Sequence, residues 1–452
     1  MRLNRLISSP VRVSVASFAG VILTGTALLT LPAASTAAPI GLVDALFTAT
    51  SACCVTGLAV VDTGKAFTLF GQLVVLALIQ VGGLGILTLS NVFLLLAGGR
   101  VSLTGQVVIQ DMFTHGGDRQ LARLILSVFV LTFAIEAAGS FFLFLRFSQE
   151  HPPLQALYLS VFHAVSAFCN AGFSLFSNNL TDYRSDVLVN VTMYALIVTG
   201  GLGFLVLTEL TRRFPHSRRS WLRLSLHSKV VLVTTGILIL AGALLLLAME
   251  RGHTLKGMPG QEKALAAFFQ SITARTAGFN TLDLGQFSNG SLFMMIMLMF
   301  IGAGSGSCAG GVKVGTAATL SILAFSRLRG YEAPHMFRRT FSQTSVIRAM
   351  NVVLISIMVV AVATLLLQLT ELSGVSYAES RGKFLEILFE VVSAFGTVGL
   401  STGLTGSLSP AGKIVISLTM FIGRLGPLAV ALAVSRQRTV RFRYAEETIM
   451  IG

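Results

Sequence analysis

Four short segments with a shared glycine could place main-chain oxygens around an ion. In three of them a Gly follows the Ser of a Ser-Ala pair by six residues, as Gly399 follows Ser393. A looser copy, residues 271–279, lacks the pair at that register but keeps a small residue and the glycine. Rings of carbonyl oxygens that replace a hydration shell coordinate dehydrated cations in tetrameric channels. The predicted ligands lie at Val55, Thr56, Gly57, Asn170, Ala171, Gly172, Thr276, Ala277, Gly278, Thr397, Val398 and Gly399.

These segments recur about every 110 residues, which makes the chain a fourfold internal repeat. Four copies around an axis would bring four loops to one point. Side chains of Thr56, Asn170, Thr276 and Thr397 supply neutral oxygens nearby, and no run of the sequence offers the carboxylate ring of many cation pores. We predict repeats over residues 1–98, 99–220, 221–330 and 331–452, the last including a cytoplasmic C-terminus.

The composition indicates an integral membrane protein. Of 452 residues, 54% are hydrophobic and 12% charged, and the mean hydropathy is +0.80, which excludes an ordinary soluble globular protein. Apolar runs of the roughly 18 to 20 residues that cross a bilayer occur at 124–145, 231–249 and 352–369. The four cysteines have no metal-binding spacing, and we interpret them as small buried residues.

The net charge of +14 reflects membrane topology rather than a nucleic-acid partner. Lys and Arg concentrate in alternating connections, which is the positive-inside pattern and places both termini in the cytoplasm. These connections could bind an acidic protein surface or anionic membrane lipid. The basic segments are the N-terminus to Arg12, Arg100 to Arg123, Arg212 to Lys229, Arg327 to Arg348 and Arg436 to Arg443.

Each repeat contains an outgoing apolar helix, a short segment that re-enters the membrane and ends at the glycine, and a returning apolar helix. Irregular backbone at membrane depth must be buried in protein or line a watery cavity. The predicted fold is an all-α polytopic membrane protein, with four helix/pore-loop/helix repeats arranged pseudo-fourfold around one central ion pore. The predicted segments are 13–31, 41–52 and 67–96; 121–147, 154–168 and 187–210; 230–250, 262–273 and 291–323; and 349–372, 383–394 and 411–434.

Two features of these helices leave alternatives open. The first helix also fits a cleaved signal peptide, because a small-residue tail follows its apolar part at residues 32–38. We favour the membrane helix, since its removal would leave the first repeat without a partner. Glu136 lies in mid-membrane, where an acidic group is costly and usually faces the bundle interior. It is either a hydrogen-bonded packing residue or a functional one.

A second set of glycines begins 24 to 28 residues after each of the first. In the third copy, residues 302–315 include six glycines, and each costs a helix about 1 kcal/mol relative to Ala. We predict a flexible gate there and close helix packing at the first two copies. Arg424 must be paired or face water, and it could hinder conduction or anchor this gate. The predicted gate residues are Gly302, Gly304, Ser305, Gly306, Ser307, Gly310, Gly311, Lys313 and Arg424.

These motifs resemble the Trk/Ktr/HKT superfamily of potassium transporters, most closely its bacterial KtrB branch. The resemblance covers nearly the whole chain. It implies potassium uptake through a pseudo-fourfold pore, with the four repeated glycines at the filter, residues 302–315 as an intramembrane gating loop and Arg424 as its partner. Sodium-selective HKT members have Ser at the first filter position, so Gly57 favours K⁺. The most specific motifs are S-A-F-C-N-A-G-F, T-A-R-T-A-G-F-N, G-A-G-S-G-S-C-A-G-G-V-K and F-I-G-R-L-G.

The resemblance also implies partners and a location. KtrB-like proteins form homodimers and bind a cytoplasmic, nucleotide-sensing KtrA ring that opens the gate. The expected site is the bacterial inner membrane, with K⁺ as the substrate ion, Na⁺ as a candidate activator and no organic cofactor. Two alternatives stay open: a carrier that couples K⁺ to Na⁺ or H⁺, with Glu136 as a candidate group, and the membrane subunit of an ion pump. A membrane enzyme is disfavoured, because the seven His residues are scattered without a nucleophile or metal cluster.

Overall fold

Sixteen helices and one short β-hairpin form the part of the chain that the computed structural model describes, residues 10–85, 118–212, 218–331 and 333–427. The predicted all-α class is confirmed. The hairpin pairs β1 (His335–Met336) with β2 (Arg339–Thr340) near the start of the predicted repeat 4. The predicted helix ends at 86–96 and 428–434, and the basic residues of 100–117 and 436–443, lie outside the described ranges.

Within these ranges the helices follow the predicted order in all four repeats. A long helix comes first, a short helix leads into a glycine loop, and a returning helix follows. The bounds are α1 (Pro10–Leu29), α2 (Leu42–Cys53), α3 (Thr63–Ala66) and α4 (Leu69–Leu84); α5 (Asp118–Phe147), α6 (Pro153–Phe168), α7 (Val187–Leu202), α8 (Phe204–Arg212) and α9 (Arg218–Arg223); α10 (Leu226–Glu250), α11 (Gly260–Thr273), α12 (Asn289–Phe300) and α13 (Val314–Leu328); and α14 (Gln343–Glu371), α15 (Lys383–Gly396) and α16 (Pro410–Leu425).

Three helices of the described residues are long and apolar enough to cross a membrane alone. They are residues Leu126–Phe147 of α5, and the whole of α10 and α14, which coincide with the three apolar runs of the sequence. The predicted repeat boundaries stay predictions. The boundary at 98/99 lies outside the described residues, the one at 220/221 falls within α9, and the one at 330/331 lies between α13 and β1.

The predicted single returning helix over residues 187–210 is wrong, because α7 and α8 meet at an angle of 104°. Gly203 between them has a φ of +95°, a conformation that glycine adopts without a side-chain penalty. The N–H of Phe204 then donates to the carbonyl of Gly306 at 3.0 Å instead of continuing the helix. The same conformation ends two other returning helices, at Gly85 and Gly426.

Local sequence determines where the returning helices begin. Each follows a residue whose side-chain oxygen accepts a hydrogen bond from a main-chain N–H of the first turn, an arrangement that favours Ser, Thr and Asp. The four capping residues are Thr68, Asp186, Ser288 and Ser409.

In repeats 3 and 4 a glutamate joins this cap to the end of the outgoing helix. Glu250, the last residue of α10, accepts hydrogen bonds from the N–H of Ser288 at 3.1 Å and from its hydroxyl at 2.9 Å. Glu371, the last residue of α14, accepts from the N–H and hydroxyl of Ser409 at 3.1 and 2.6 Å. In these two repeats the C-terminal end of the outgoing helix is therefore joined to the N-terminal end of the returning helix.

Polar contacts between repeats close the bundle into a ring. Lys413 of α16 lies 2.6 Å from the carboxylate of Asp44 in α2, so repeat 4 contacts repeat 1. The Tyr194 hydroxyl of α7 donates to the carbonyl of Leu265 in α11 at 2.6 Å, which joins repeats 2 and 3. Helix α15 packs against α12, and α4 packs against α6. The cyclic order brings all four short helices to a common centre.

Replacing Glu250 by Ala should lower the stability of the bundle. The Ser288 groups and the Thr254 hydroxyl, 2.8 Å from the carboxylate, would lose their acceptor, and a buried group left without a partner costs about 1–3 kcal/mol. Thermal unfolding of the purified protein in detergent should show a lower midpoint for E250A than for the wild type. Lys256→Ala, an exposed change in the following turn, is the control. Equal midpoints for the two variants would contradict the bridging role of Glu250.

Candidate functional site

The four predicted coordination loops share one backbone conformation. They follow α2, α6, α11 and α15 directly, and in each loop the glycine and the residue two positions before it have φ between +50° and +94°. A non-glycine residue rarely adopts this conformation, and clusters of such residues mark constrained functional segments. The pairs are Val55 and Gly57, Asn170 and Gly172, Thr276 and Gly278, and Thr397 and Gly399.

Hydrogen bonds to the preceding helix hold the main-chain N–H groups of the loops. In repeat 4 the N–H of Val398 donates to the Ser393 carbonyl at 2.8 Å, and the N–H of Gly399 donates to the Ser393 hydroxyl at 3.1 Å. Repeat 1 has the same two bonds to Ser51. Because the N–H and C=O of a trans peptide point in opposite directions, the carbonyls of the same peptide groups face away from the helix.

Repeat 3 uses a residue that the sequence analysis did not assign. The Thr273 hydroxyl donates to the carbonyl of Phe279 at 2.6 Å, as the Ser166 hydroxyl of repeat 2 donates to the carbonyl of Phe173 at 2.8 Å. Ser271, the small residue noted in the sequence, instead donates to a carbonyl of α10. The Gly-Phe pair that repeats 2 and 3 share is the signal that could have identified Thr273.

The four loops form a closed ring in which each glycine lies against a carbonyl of a neighbouring loop. A methyl group added at Gly172 would lie 2.8 Å from the Ala277 oxygen, which is closer than a side-chain carbon normally approaches. A larger residue at any of the four positions would therefore displace a carbonyl. The contacts pair Gly57 with Ala171, Gly172 with Ala277, Gly278 with Val398 and Gly399 with Thr56.

A cavity of about 520 Å³ lies against this ring. Gly57, Gly278 and Gly399 line it, together with polar residues of the segments that follow the loops. Among the described residues that line the cavity, Asp283 is the single acidic one. A polar cavity of this size can hold a hydrated ion next to the carbonyl ring.

Two of the four polar side chains predicted near the ring form structural hydrogen bonds instead. The Thr397 hydroxyl accepts from the N–H of Gly310 at 2.9 Å. The Asn170 amide, oriented with its nitrogen toward α6 and α7, donates to one main-chain carbonyl of each. The hydroxyls of Thr56 and Thr276 are buried and have no partner among the described residues. A buried hydroxyl without a partner is uncommon, so these two oxygens are the ones free to meet a ligand.

A buried carboxyl group supports the loop of repeat 4. Glu390 of α15 is fully buried and accepts hydrogen bonds from the hydroxyls of Ser401, at 2.9 Å, and Thr405. Both hydroxyl residues line the cavity beside the ring. His163 of α6 makes the corresponding contact in repeat 2, with the Ser174 hydroxyl at 3.0 Å. The four loops therefore have the same backbone but different groups behind them.

The returning helix of repeat 3 is interrupted where the sequence predicts. We call residues 301–313, between α12 and α13, the intramembrane loop. The loop folds back on itself, and the N–H of Gly302 donates to the carbonyl of Val312 at 2.8 Å. Gly306 and Gly311 have positive φ, which explains why glycine is needed at these two turns.

Main-chain contacts join the intramembrane loop to two neighbouring repeats. The N–H of Gly304 donates to the carbonyl of Gly201 in α7 at 2.8 Å, and the N–H of Gly311 donates to the carbonyl of Gly423 in α16 at 3.3 Å. The bond from Gly310 to the Thr397 hydroxyl attaches the loop to the carbonyl ring itself. One of the predicted gate residues, Gly310, thus lies directly against a predicted ligand, Thr397.

Three cationic side chains bind carbonyls of the intramembrane loop. Arg275 of the repeat 3 coordination loop donates to the carbonyl of Gly302 at 3.5 Å. The Arg424 guanidinium donates to the carbonyl of Cys308 in the loop and to the carbonyl of Gly82 in α4, so it joins repeats 4, 3 and 1. The Lys313 ammonium donates to the carbonyls of Ala309 and Gly310 within the loop. These contacts agree with the anchoring role that the sequence analysis offers for Arg424. They also leave a fixed positive charge beside the loop.

The first glycines of the other inner motifs pack against the short helices. In each case a Cβ added to the glycine would overlap the carbonyl group of the last or next-to-last residue of the short helix. The contacts agree with the packing role predicted for repeats 1 and 2 and extend it to repeat 4. They pair Gly82 with Cys53, Gly200 with Phe168 and Gly423 with Phe395.

Glu136 has polar partners within the bundle. Gln80 donates to its carboxyl group at 3.2 Å, and the Cys169 thiol lies 3.8 Å from the same oxygen. Cys169 directly precedes the loop residue Asn170, so Glu136 lies behind the loop of repeat 2. These contacts support the packing interpretation of Glu136. All four cysteines are free and buried, as the sequence predicts.

Known potassium uptake proteins match the chain over nearly its full length. It is 40% identical over 443 residues to the Ktr system potassium uptake protein B of Vibrio alginolyticus, covering 98% of this chain and 94% of that protein. It is 36% identical over 453 residues to the potassium/sodium uptake protein NtpJ of Enterococcus hirae, covering 98% and 97%.

The fold is similar to the crystal structure of the potassium transporter TrkH from Vibrio parahaemolyticus. The TM-score is 0.71, over 93% of this chain and 85% of that chain, at 19% sequence identity. The TrkH family of cation transport proteins matches residues 9–440. With this match, and with relatives that are transporters rather than enzymes, the chain belongs to the TrkH family of cation transport proteins and is a multi-pass membrane protein.

Proposed function

We propose that the chain is the ion-translocating subunit of a potassium uptake system. K⁺ passes through a filter formed by the carbonyl oxygens of the four loops, and the intramembrane loop gates the pathway. The observation that carries the proposal is the closed ring in which each glycine contacts the carbonyl of a neighbouring loop. Four convergent sets of oxygens can replace the water around a dehydrated cation. The names of the two relatives, both potassium uptake proteins, support K⁺ as the ion.

The electrostatics of the ring favour a cation. The C-terminal ends of α2, α6, α11 and α15 carry partial negative charge and lead directly into the four loops. Arg275, within the loop of repeat 3, is directed away from the ring, since its guanidinium donates to the Thr235 hydroxyl in α10 at 3.3 Å. The oxygens of the ring are therefore not neutralised by this nearby side chain.

The intramembrane loop is suited to be a gate because polar contacts, rather than a packed apolar core, hold much of it. Its partners are the ring residue Thr397, main-chain groups of α7 and α16, and the Arg424 side chain. Each such bond contributes roughly 0.5–1.5 kcal/mol net, and those to charged groups about 1.5–3 kcal/mol. Water entering the pathway can replace these partners, so displacement of the loop has a moderate free-energy cost.

We further infer the assembly in which the chain works. It is a homodimer in the bacterial inner membrane with both termini in the cytoplasm, and a cytoplasmic nucleotide-binding ring of the KtrA kind regulates it. The relative named protein B of a Ktr system supports a multi-subunit system. The name of NtpJ, a potassium/sodium uptake protein, supports Na⁺ as a candidate activator.

A carrier that couples K⁺ to Na⁺ or H⁺ is the second candidate. The buried carboxyl group of Glu136 behind the repeat 2 loop favours it, because intramembrane acids often bind protons or ions. Reconstituted protein under imposed Na⁺ or pH gradients separates the two mechanisms. A carrier moves K⁺ against its own gradient when the second ion flows inward, whereas a channel does not.

Cation flux into liposomes that contain only the purified chain tests the filter. Gly399→Ser should lower K⁺ and Rb⁺ flux about tenfold, which corresponds to ~1.4 kcal/mol, because the new side chain would displace the Thr56 carbonyl. Na⁺ flux should fall less. Gly20→Ser is the matched control, since nothing lies within 4 Å of a Cβ there. Wild-type K⁺ selectivity in a folded G399S protein would rule out the filter.

The group behind the repeat 4 loop gives a separate test of the same filter. Glu390→Ala should reduce K⁺ selectivity more than Glu390→Gln does, because the amide oxygen still accepts a hydrogen bond from one of the two hydroxyls and the amide nitrogen can donate to the other. The loss of those bonds is worth about 1–3 kcal/mol. Glu386→Ala, in the first turn of the same helix, is the control. If E390A keeps the wild-type ratio of K⁺ to Na⁺ flux, Glu390 does not support the filter.

Removing the Arg424 anchor tests the gate. Arg424→Ala should raise cation flux roughly tenfold, since the loop loses a charge-assisted contact worth about 1.5–3 kcal/mol. Lys383→Ala removes an exposed cation at the start of α15 that does not contact the loop, and it should leave flux unchanged. Deletion of residues 304–310 should also raise flux. Unchanged flux in both R424A and the deletion, in normally folded protein, would contradict the gate.

A further inference from the structure

A second cavity, of about 350 Å³, lies where the N-terminal parts of α10, α13 and α14 meet the intramembrane loop. It shares no described lining residue with the cavity beside the carbonyl ring. Ser305 of the loop and Gly315 of α13 form part of its wall. Whatever fills this cavity therefore contacts the proposed gate and leaves the ring free.

The lining combines positive charge with hydroxyl groups and includes no acidic residue among the described residues. Arg348 of α14 and His227 of α10 contribute nitrogen donors. The guanidinium of Arg348 forms no hydrogen bond or ion pair with another described residue. The same holds for the hydroxyls of Ser305 and Thr316. A guanidinium with hydroxyl donors around a pocket is the recognition chemistry of a phosphate group.

The surroundings of Arg348 indicate a membrane lipid as the source of that phosphate. Arg348 lies in the second turn of α14, a helix long and apolar enough to cross the membrane. Ile347 and Leu354 of the same helix are 57% and 63% exposed, as expected for residues that face acyl chains. Arginine near the end of a membrane helix extends toward the interface, where anionic headgroups lie.

We propose that this cavity binds the phosphate group of an anionic phospholipid, and that the bound lipid holds the intramembrane loop in the position seen here. A ligand stabilises the conformation that it binds better. Ser305 forms part of the cavity wall when the loop is in the docked position. In that position the Ser305 carbonyl contacts Gly203, at the bend between α7 and α8. Lipid binding thus opposes displacement of the loop and lowers ion flux. This regulation rests on the proposed role of the loop as a gate.

Native mass spectrometry of the full-length chain in detergent tests the binding directly. Phosphatidylglycerol should bind to the wild type, and Arg348→Gln should weaken this binding about tenfold, or ~1.4 kcal/mol. Arg339→Gln changes an exposed arginine of the same basic connection that does not line the cavity, and it should bind as the wild type does. Arg348→Lys should restore part of the affinity through its charge.

Equal phosphatidylglycerol binding by the wild type and R348Q would overturn the site. Equal loss in R348Q and R339Q would do the same, because it would show nonspecific attraction to basic residues. Inorganic phosphate that competes at the same concentration as the lipid would overturn the lipid assignment in favour of a soluble phosphate ligand. Phosphatidylcholine that binds as well as phosphatidylglycerol would show that the anionic charge is not recognised.

Flux in liposomes of defined composition tests the control of the gate. Potassium flux should be severalfold lower with phosphatidylglycerol than with phosphatidylcholine alone, and R348Q should lose this difference while keeping its K⁺ selectivity. If the wild type conducts too little, the comparison is made with R424A and R424A/R348Q. Wild-type lipid sensitivity in R348Q would overturn the coupling. Absence of cation flux in every lipid, in R424A as well as in the wild type, would contradict the proposed function, yet the binding measurement would still decide whether the lipid site exists.

Discussion

The close approach of four glycines to carbonyls of neighbouring loops is the contact on which the remaining structure depends. Carbonyl oxygens that converge on one point repel each other, so the fold must hold them in place without an ion. The N–H groups on the opposite side of each peptide are bonded to the preceding short helix, as Val398 is to Ser393. The helix caps, the glutamates that join the long helices and the contacts between repeats fix those short helices.

The four repeats preserve backbone geometry more strictly than side chains. Positive φ recurs at the same two positions of every loop, and the coordination by carbonyls that we propose depends on the path of the main chain. The groups behind the loops differ: Glu390 supports one of them and His163 another. Carboxyl groups lie behind two of the four loops, Glu390 in repeat 4 and Glu136 in repeat 2, so the surroundings of the ring are unequal around its axis. The intramembrane loop is a second departure from fourfold symmetry, since it bonds to the ring at Thr397.

The sequence predicts the features that depend on local composition and fails at those that depend on a distant partner. The apolar runs, the four repeated glycines and the break in repeat 3 are visible as periodicity and glycine content. The bend at Gly203 was missed because it requires an acceptor at Gly306 that lies far along the chain. Thr273 and Glu390 were missed for a related reason. Their hydroxyl and carboxyl groups act on residues beyond the glycine, which a motif that ends at the glycine does not include.

The contacts of the intramembrane loop fit the regulation that we propose for it. Its polar contacts are individually worth about a kcal/mol, except those of the Arg424 and Arg275 guanidinium groups, so the docked and displaced positions of the proposed gate need differ by only a few kcal/mol. A ligand or subunit shifts such an equilibrium by its difference in affinity for the two positions. The loop is continuous with α13, whose N-terminal part lines the second cavity together with α10 and α14. A ligand or subunit that binds at the N-terminal parts of these helices can therefore shift the loop. The ring is held by its own hydrogen bonds and need not change.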